Sequence, residues 1–239
     1  GELYHHYPEA VANGLAIPFG AFRSVLDRPF KNGKQTIFEW MEAEYPKIQA
    51  MPPGSAKRDE KMESLRKELE TTLLNVAFDD DFRRRLASAM ESVFGPDGTY
   101  GVFVRSDTNV EDLPGFTGAG LNKTIPNVVG FENVLAAIPR VWASPFSKRA
   151  FAWRQSHMDL PQHVYASVLI LRSVPSQKSG VLVTRDIDTG EKGWLSVAVN
   201  EGVGGAVDGQ AAESLRINVK TGEVRMLAQA TAPWRRVLN

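Results

Sequence analysis

The sequence predicts an α+β fold with a helical N-terminal half and a strand-rich C-terminal half. Helical spacing of apolar residues dominates before residue 100, and short apolar runs bounded by turn residues dominate after it. No strict strand–helix–strand alternation joins them, which argues against a doubly wound parallel sheet.

The elements follow in order. "NGLAIPFGAF" is an extended segment bounded by Gly14, Pro18 and Gly20, preceded by a helix end. "AFRSVLDRPF" resumes helical spacing until Pro29 stops it. Residues 36–45, "TIFEWMEAEY", read as a helix, and the Pro/Gly/charge-rich "PKIQAMPPGSAKRDE" reads as a break. From Lys57 to Leu74 an apolar stripe at Met62, Leu65, Leu69 and Leu73 marks a solvated helix with one buried side. Asp79-Asp80-Asp81 offers an N-cap and acids for the dipole of the next helix, which buries Phe82, Leu86, Met90 and Val93 and stops at Gly95-Pro96. "YGVFV" is a strand ending at Arg105. "FENVLAAIPRVWASPFSKRAFAWRQ" is mostly helical, kinked or split at Pro139 and Pro145, with Trp142 and Trp153 as core anchors. "HVYASVLILR", "SGVLVTRD" and "GWLSVAVNE" are strands, and "SLRINVKTGEVRML" is a hairpin around Thr221-Gly222.

Composition excludes several classes of function. The 239 residues carry 28 Lys+Arg and 28 Asp+Glu, so net charge makes no case for nucleic acid or an anionic membrane surface. With no cysteine and four scattered histidines there is no disulfide, thiolate nucleophile or zinc spacing. No apolar stretch is long enough to span a bilayer and the N-terminus is no signal peptide, so a reducing, cytoplasmic setting is expected.

Four clusters carry possible chemistry. The first is "VRSDTNVEDLPGFTGAGLNKT", where Arg105 ends an apolar strand and glycines 115, 118 and 120 follow. The glycine order is not that of a dinucleotide loop, and Asn122 stands where a P-loop has glycine before its lysine. Arg105 is therefore either a bidentate phosphate ligand or the partner of Glu111 or Asp112 in a turn. The second is "TRDIDTGEKG", with Thr184 and Arg185 at a strand end, whose plain alternative is a hairpin. The third is "NEGVGGAVDGQ", whose glycines either bend the chain sharply or admit something large against the backbone. The fourth is the arginine pair Arg149 and Arg154 on one helix, either surface charges or ligands. With no Ser–His–Asp or Cys–His set, the clusters fit binding of a polyanion better than acyl transfer.

"VRSDTNVEDLPGFTGAGL", "VWASPFSKRAFAWR", "SGVLVTRDIDTGEKG" and "VNEGVGGAVDG", in that order, resemble the nucleotide-binding domain of the dikinases: phosphoenolpyruvate synthase, pyruvate phosphate dikinase and glucan water dikinase. The likeness covers nearly the whole chain. "NVEDL", "AGL", "IPNV" and "IPFGAF" lean toward the glucan branch, and "TGEKG" toward pyruvate phosphate dikinase.

The resemblance implies an ATP-grasp-like domain binding ATP with magnesium (Mg2+) between two α+β lobes, 1–110 with about 175–239 forming one and about 111–174 the other. It implies transfer of the ATP β-phosphoryl group to a histidine on a separate phosphohistidine domain, then to pyruvate or a glucan. By the same likeness Arg105, with Ser106 beside it, matches the strand-end arginine on the ATP phosphates. Arg149 or Arg154 matches a second one, and Thr184 and Arg185 match a nucleotide-facing strand end. Departures accompany the match. The family's ATP lysine would precede Gly1, and its carboxylate metal ligands would follow Asn239, so the domain is expected to be truncated and inactive alone. Ile187 replaces a usual proline, and Gly205 stands where glutamate often does. The alternatives are a non-catalytic nucleotide-sensing or interaction module of the same fold, and a protein with no nucleotide site.

Overall fold

The computed structural model describes residues 2–31, 33–110, 112–113, 116–117, 122–158, 160–206 and 210–238. They form two compact units, Gly1–Ser173 and Val174–Asn239. In the first unit α1 (Glu2–His6), β1 (Gly14–Ile17) and α2 (Phe19–Leu26) lead to the short pair β2 (Pro29–Phe30) and β3 (Gln35–Thr36). Three helices follow, α3 (Ile37–Gln49), α4 (Ala56–Leu74) and α5 (Asp80–Phe94), then β4 (Gly101–Thr108) and the two-residue pair β5 (Asp112–Leu113) and β6 (Phe116–Thr117). β7 (Thr124–Val129), α6 (Phe131–Trp142), α7 (Lys148–His157) and β8 (Ala166–Arg172) complete it.

Side-chain caps fix where the long helices start. Thr36 and Glu39 form a reciprocal capping box on α3, Ser55 accepts from the Arg58 amide on α4, and Asp79 accepts from the Phe82 amide on α5. α3 runs through Pro46 instead of ending there, because the fully buried Tyr45 and the buried Ile48 hold its last turn against the core. Pro139 is likewise accommodated inside α6, while the chain breaks into a 3-10 turn at Ser144–Phe146. α4 departs from a simple solvated stripe. Its Arg66 is buried and donates to both oxygens of Glu63 at 2.8 Å, to Glu70 at 2.5 Å and to the Phe146 carbonyl at 2.9 Å, tying α4 to that turn. The Arg66 hydrogen bonds hold the Glu63 carboxyl down at about 2.

One antiparallel sheet, ordered β1-β8-β4-β7, organises the unit. Alternation puts Val104 beside Ile170 and Val168 beside Ile17, all buried on the face that α6 covers, with α4 packed outside α6. Trp142 at the end of α6 meets Phe22 and Phe78 at 5.7 and 5.6 Å, so it is a core anchor. Trp153 is not. It is half-buried and stacks on His157 at 4.2 Å, while Phe151 and Arg154 take the buried side of α7. β7 and β8, from 111–174, pair with β4 from 1–110 and belong to the same unit.

The second unit is a four-stranded antiparallel sheet ordered β12-β11-β10-β9, built from β9 (Lys178–Val183), β10 (Trp194–Glu201), β11 (Glu213–Asn218) and β12 (Val224–Ala228). The β11–β12 hairpin turns where expected: Gly222 has φ +72°, and the Asn218 carboxamide oxygen accepts from the Lys220 and Thr221 amides. No helix among the described residues is long and apolar enough to cross a membrane.

Candidate functional site

Arg105 does not sit at a strand lip. β4 continues to Thr108, because residues 105–108 pair with Ala166–Leu169 of β8. Alternation then places Phe103, Arg105 and Asp107 together on the face opposite α6, alongside Leu171, Leu169 and Ser167 of β8 and Thr124 of β7. Within this unit that face is largely open: Arg105, Asp107, Thr124 and Ala16 are exposed, and Phe103, Leu169 and Leu171 are half-buried. Asp107 accepts from the Ser167 hydroxyl at 3.0 Å, and Arg105 makes no ion pair among the described residues. A half-buried apolar strip beside a threonine hydroxyl and a guanidinium with no ion pair among the described residues suits a ligand with an apolar part and an anionic part. Glu111, one expected turn partner of Arg105, and the glycines at 115, 118 and 120 lie outside the described residues.

The other expected phosphate residues of this unit fall elsewhere. Ser106 alternates to the side opposite Arg105, and its amide is committed to the Lys123 carbonyl, so the two side chains do not share a ligand. Arg149 and Arg154 belong to α7, which packs on α4 and the 3-10 turn in the helical layer, across the sheet from Arg105. Arg149 is exposed there. Arg154 is 4% exposed, with its guanidinium 5.5 and 5.9 Å from the Phe146 and Phe151 ring centroids. Burial pulls its pKa down to about 10, and its Nε and Nη2 find no hydrogen-bond partner among the described residues. Arg154 is a core residue. Thr124 is what the sequence reading missed: Pro126 and Asn127 obscure β7, which tolerates them as an edge strand with a register shift against β4.

In the second unit Thr184 and Arg185 are exposed just after β9. The next residue, Asp186, is buried and shapes a turn: its Oδ1 accepts from the Asp188 and Thr189 amides at 2.9 Å, and Arg216 pairs with both Asp186 and Asp188. The Thr189 amide hydrogen bond leads the causes that lower the Asp186 pKa. The Ile187 substitution leaves this turn intact, its amide bonding to the Ser196 hydroxyl at 3.0 Å. The glycine loop also has an internal explanation. Gly202 has φ +76°, and a Cβ there would lie 2.2 Å from the Arg236 carbonyl oxygen, so the large object against it is the chain itself. Gly205 packs against Asn200 and Gln210.

An α+β chain whose sheet presents an exposed arginine beside an apolar strip has the makings of a nucleotide-binding domain. The chain matches the family model described as the pyruvate phosphate dikinase AMP/ATP-binding domain over residues 10–232, and it belongs to that family. It is 28% identical to a rifampicin phosphotransferase from Streptomyces sp over 240 aligned residues, all of this chain and 26% of that protein. It is 32% identical to the rifampicin phosphotransferase of Bacillus subtilis over 60% of this chain and 16% of that protein. Against the phosphoenolpyruvate synthase of Pyrococcus furiosus it is 34% identical over 48% of this chain and 14% of that protein. The chain thus spans about a quarter or less of these relatives. Among the described residues no three His, Cys, Asp or Glu side chains come close enough to hold a metal ion.

Proposed function

We propose that this domain binds ATP with the phosphates at Arg105 and Thr124 and the less polar part of the nucleotide along Phe103, Leu169 and Leu171. The observation that carries this is an exposed strand-interior arginine without an ion-pair partner among the described residues, in a chain of the AMP/ATP-binding family. Arg105 would neutralise charge on the transferred group, a role in which a fixed cation is worth more than water because it needs no reorganisation. The parent protein, in an ATP-grasp-like arrangement, would pass the β-phosphoryl group to a histidine of a separate domain and then to an acceptor such as pyruvate or a glucan. The names of the relatives add rifampicin as an acceptor class for those proteins. Taken alone, the chain is expected to bind nucleotide without turning it over.

Incubation with β-labelled ATP and Mg2+ tests this reading. The full-length parent should release AMP and carry label on histidine, and the 239-residue chain should do neither. AMP release by the chain alone, or ADP as the parent's product, would overturn it. A parent that binds ATP without forming AMP or ADP would instead be a nucleotide-sensing module.

A further inference from the structure

We propose that the first unit carries a second anion site, distinct from the Arg105 face, that takes a phosphate dianion or the phosphate end of a small phosphomonoester. A cleft of about 340 Å³ opens on the helical side of the sheet, lined by Glu70 of α4, Asn122 and Lys123 before β7, Arg140 of α6, and Ser144 and Ser147 before α7. Lys123 and Arg140 are exposed at its wall, and neither makes an ion pair among the described residues. The carboxylate present is already committed: Glu70 lies 2.5 Å from Arg66, which also holds Glu63. The cleft therefore offers two cations that no carboxylate pairs among the described residues.

The start of α7 points the same way. Its N-cap, Ser147, makes no side-chain capping bond, and its first turn has no acidic residue but begins Lys148-Arg149. Cations at the positive end of a helix dipole oppose it, and the Lys148-Arg149 start leaves that end of α7 without an acidic partner in its own first turn. A bound dianion would satisfy free amides, dipole and cations together, with the Ser147 hydroxyl and the Asn122 amide as further donors. Ser144 would not contribute, because its hydroxyl donates to the Val141 carbonyl and accepts from the Lys123 amide. That second bond fixes Lys123 against the cleft. The cleft exceeds what phosphate alone fills, which leaves room for a small organic tail.

Amide NMR of the 239-residue chain tests this at constant ionic strength, in an Arg105→Ala background that removes the proposed nucleotide contact. Inorganic phosphate and glycerol 3-phosphate are the two probes. Saturable shifts at the Ser147, Lys148 and Arg149 amides are expected, with tighter binding of glycerol phosphate if the occupant is a monoester and equal or weaker binding if it is free phosphate. Lys123→Gln with Arg140→Gln should weaken the response about tenfold or more, and Lys123→Gln alone, an exposed change, gives the same direction should the double variant fold poorly. Absence of saturable shifts, or equal affinity in the variants, would overturn the proposal.

Discussion

Replacing Arg154 with methionine separates a core arginine from a phosphate ligand. In the structure the guanidinium is sunk to 4% exposure, two of its nitrogens lack hydrogen-bond partners among the described residues, and its charge rests on two phenyl rings. A buried N–H without a partner costs about 1–3 kcal/mol. Each cation–ring contact returns about 0.5–2 kcal/mol. Methionine keeps an unbranched apolar stem of similar reach and adds no polar atom. The balance favours the variant by about 1 kcal/mol, which for a domain of this size raises the melting temperature by about 2–4 °C. Calorimetric unfolding and nucleotide titration of Arg154→Met check both halves, with ATP affinity expected to stay at the wild-type value. A loss of more than about 2 kcal/mol, or a tenfold loss of ATP affinity, would refute the reasoning and return Arg154 to the phosphates.

Arg66→Ala should cost about 2–4 kcal/mol in urea unfolding, because it removes a bidentate carboxylate pair, the bond to Glu70 and the bond to the Phe146 carbonyl from one buried position. Its pH dependence follows with a definite sign. The Glu63 carboxyl is lowered from 4.5 to about 2 by Arg66, so its contribution is full above 4.5 and fades as pH falls toward 2. Wild-type stability should therefore decline across that window more steeply than that of Arg66→Ala. Gly202→Ala should destabilise the second unit by about 2 kcal/mol or more, read from unfolding followed at Trp194 and Trp234, since the new methyl meets the Arg236 carbonyl and φ is positive.

Where local rules suffice, the sequence was readable. The stripe of α4 and the Asp79 cap of α5 depend on spacing and on one side chain meeting one amide, and both stand where expected. The sheet required pairings across the chain. Nothing in "NKTIPNVV" shows that β4 will lend it a partner, so β7 and the pairing of Arg105 with Thr124 stayed hidden. Arg105 itself was found from its polar surroundings, but its placement three residues inside the strand depends on how far β8 extends beside it. Arg149 and Arg154 are separated by burial, which spacing on a helix of mixed polarity does not reveal. The glycines at 202 and 205 illustrate the same limit, since a glycine needed by the chain's own backbone looks in sequence like one needed by a ligand.

The most direct test of the central claim is the affinity of ATP for the chain with and without the Arg105 guanidinium. Titration calorimetry of wild type and Arg105→Ala should show a loss of about 10–100-fold, the range expected for removing a charge-assisted pair of hydrogen bonds to phosphate, with adenosine binding unchanged. Equal ATP affinity in the two proteins would remove the phosphates from this face and contradict the account.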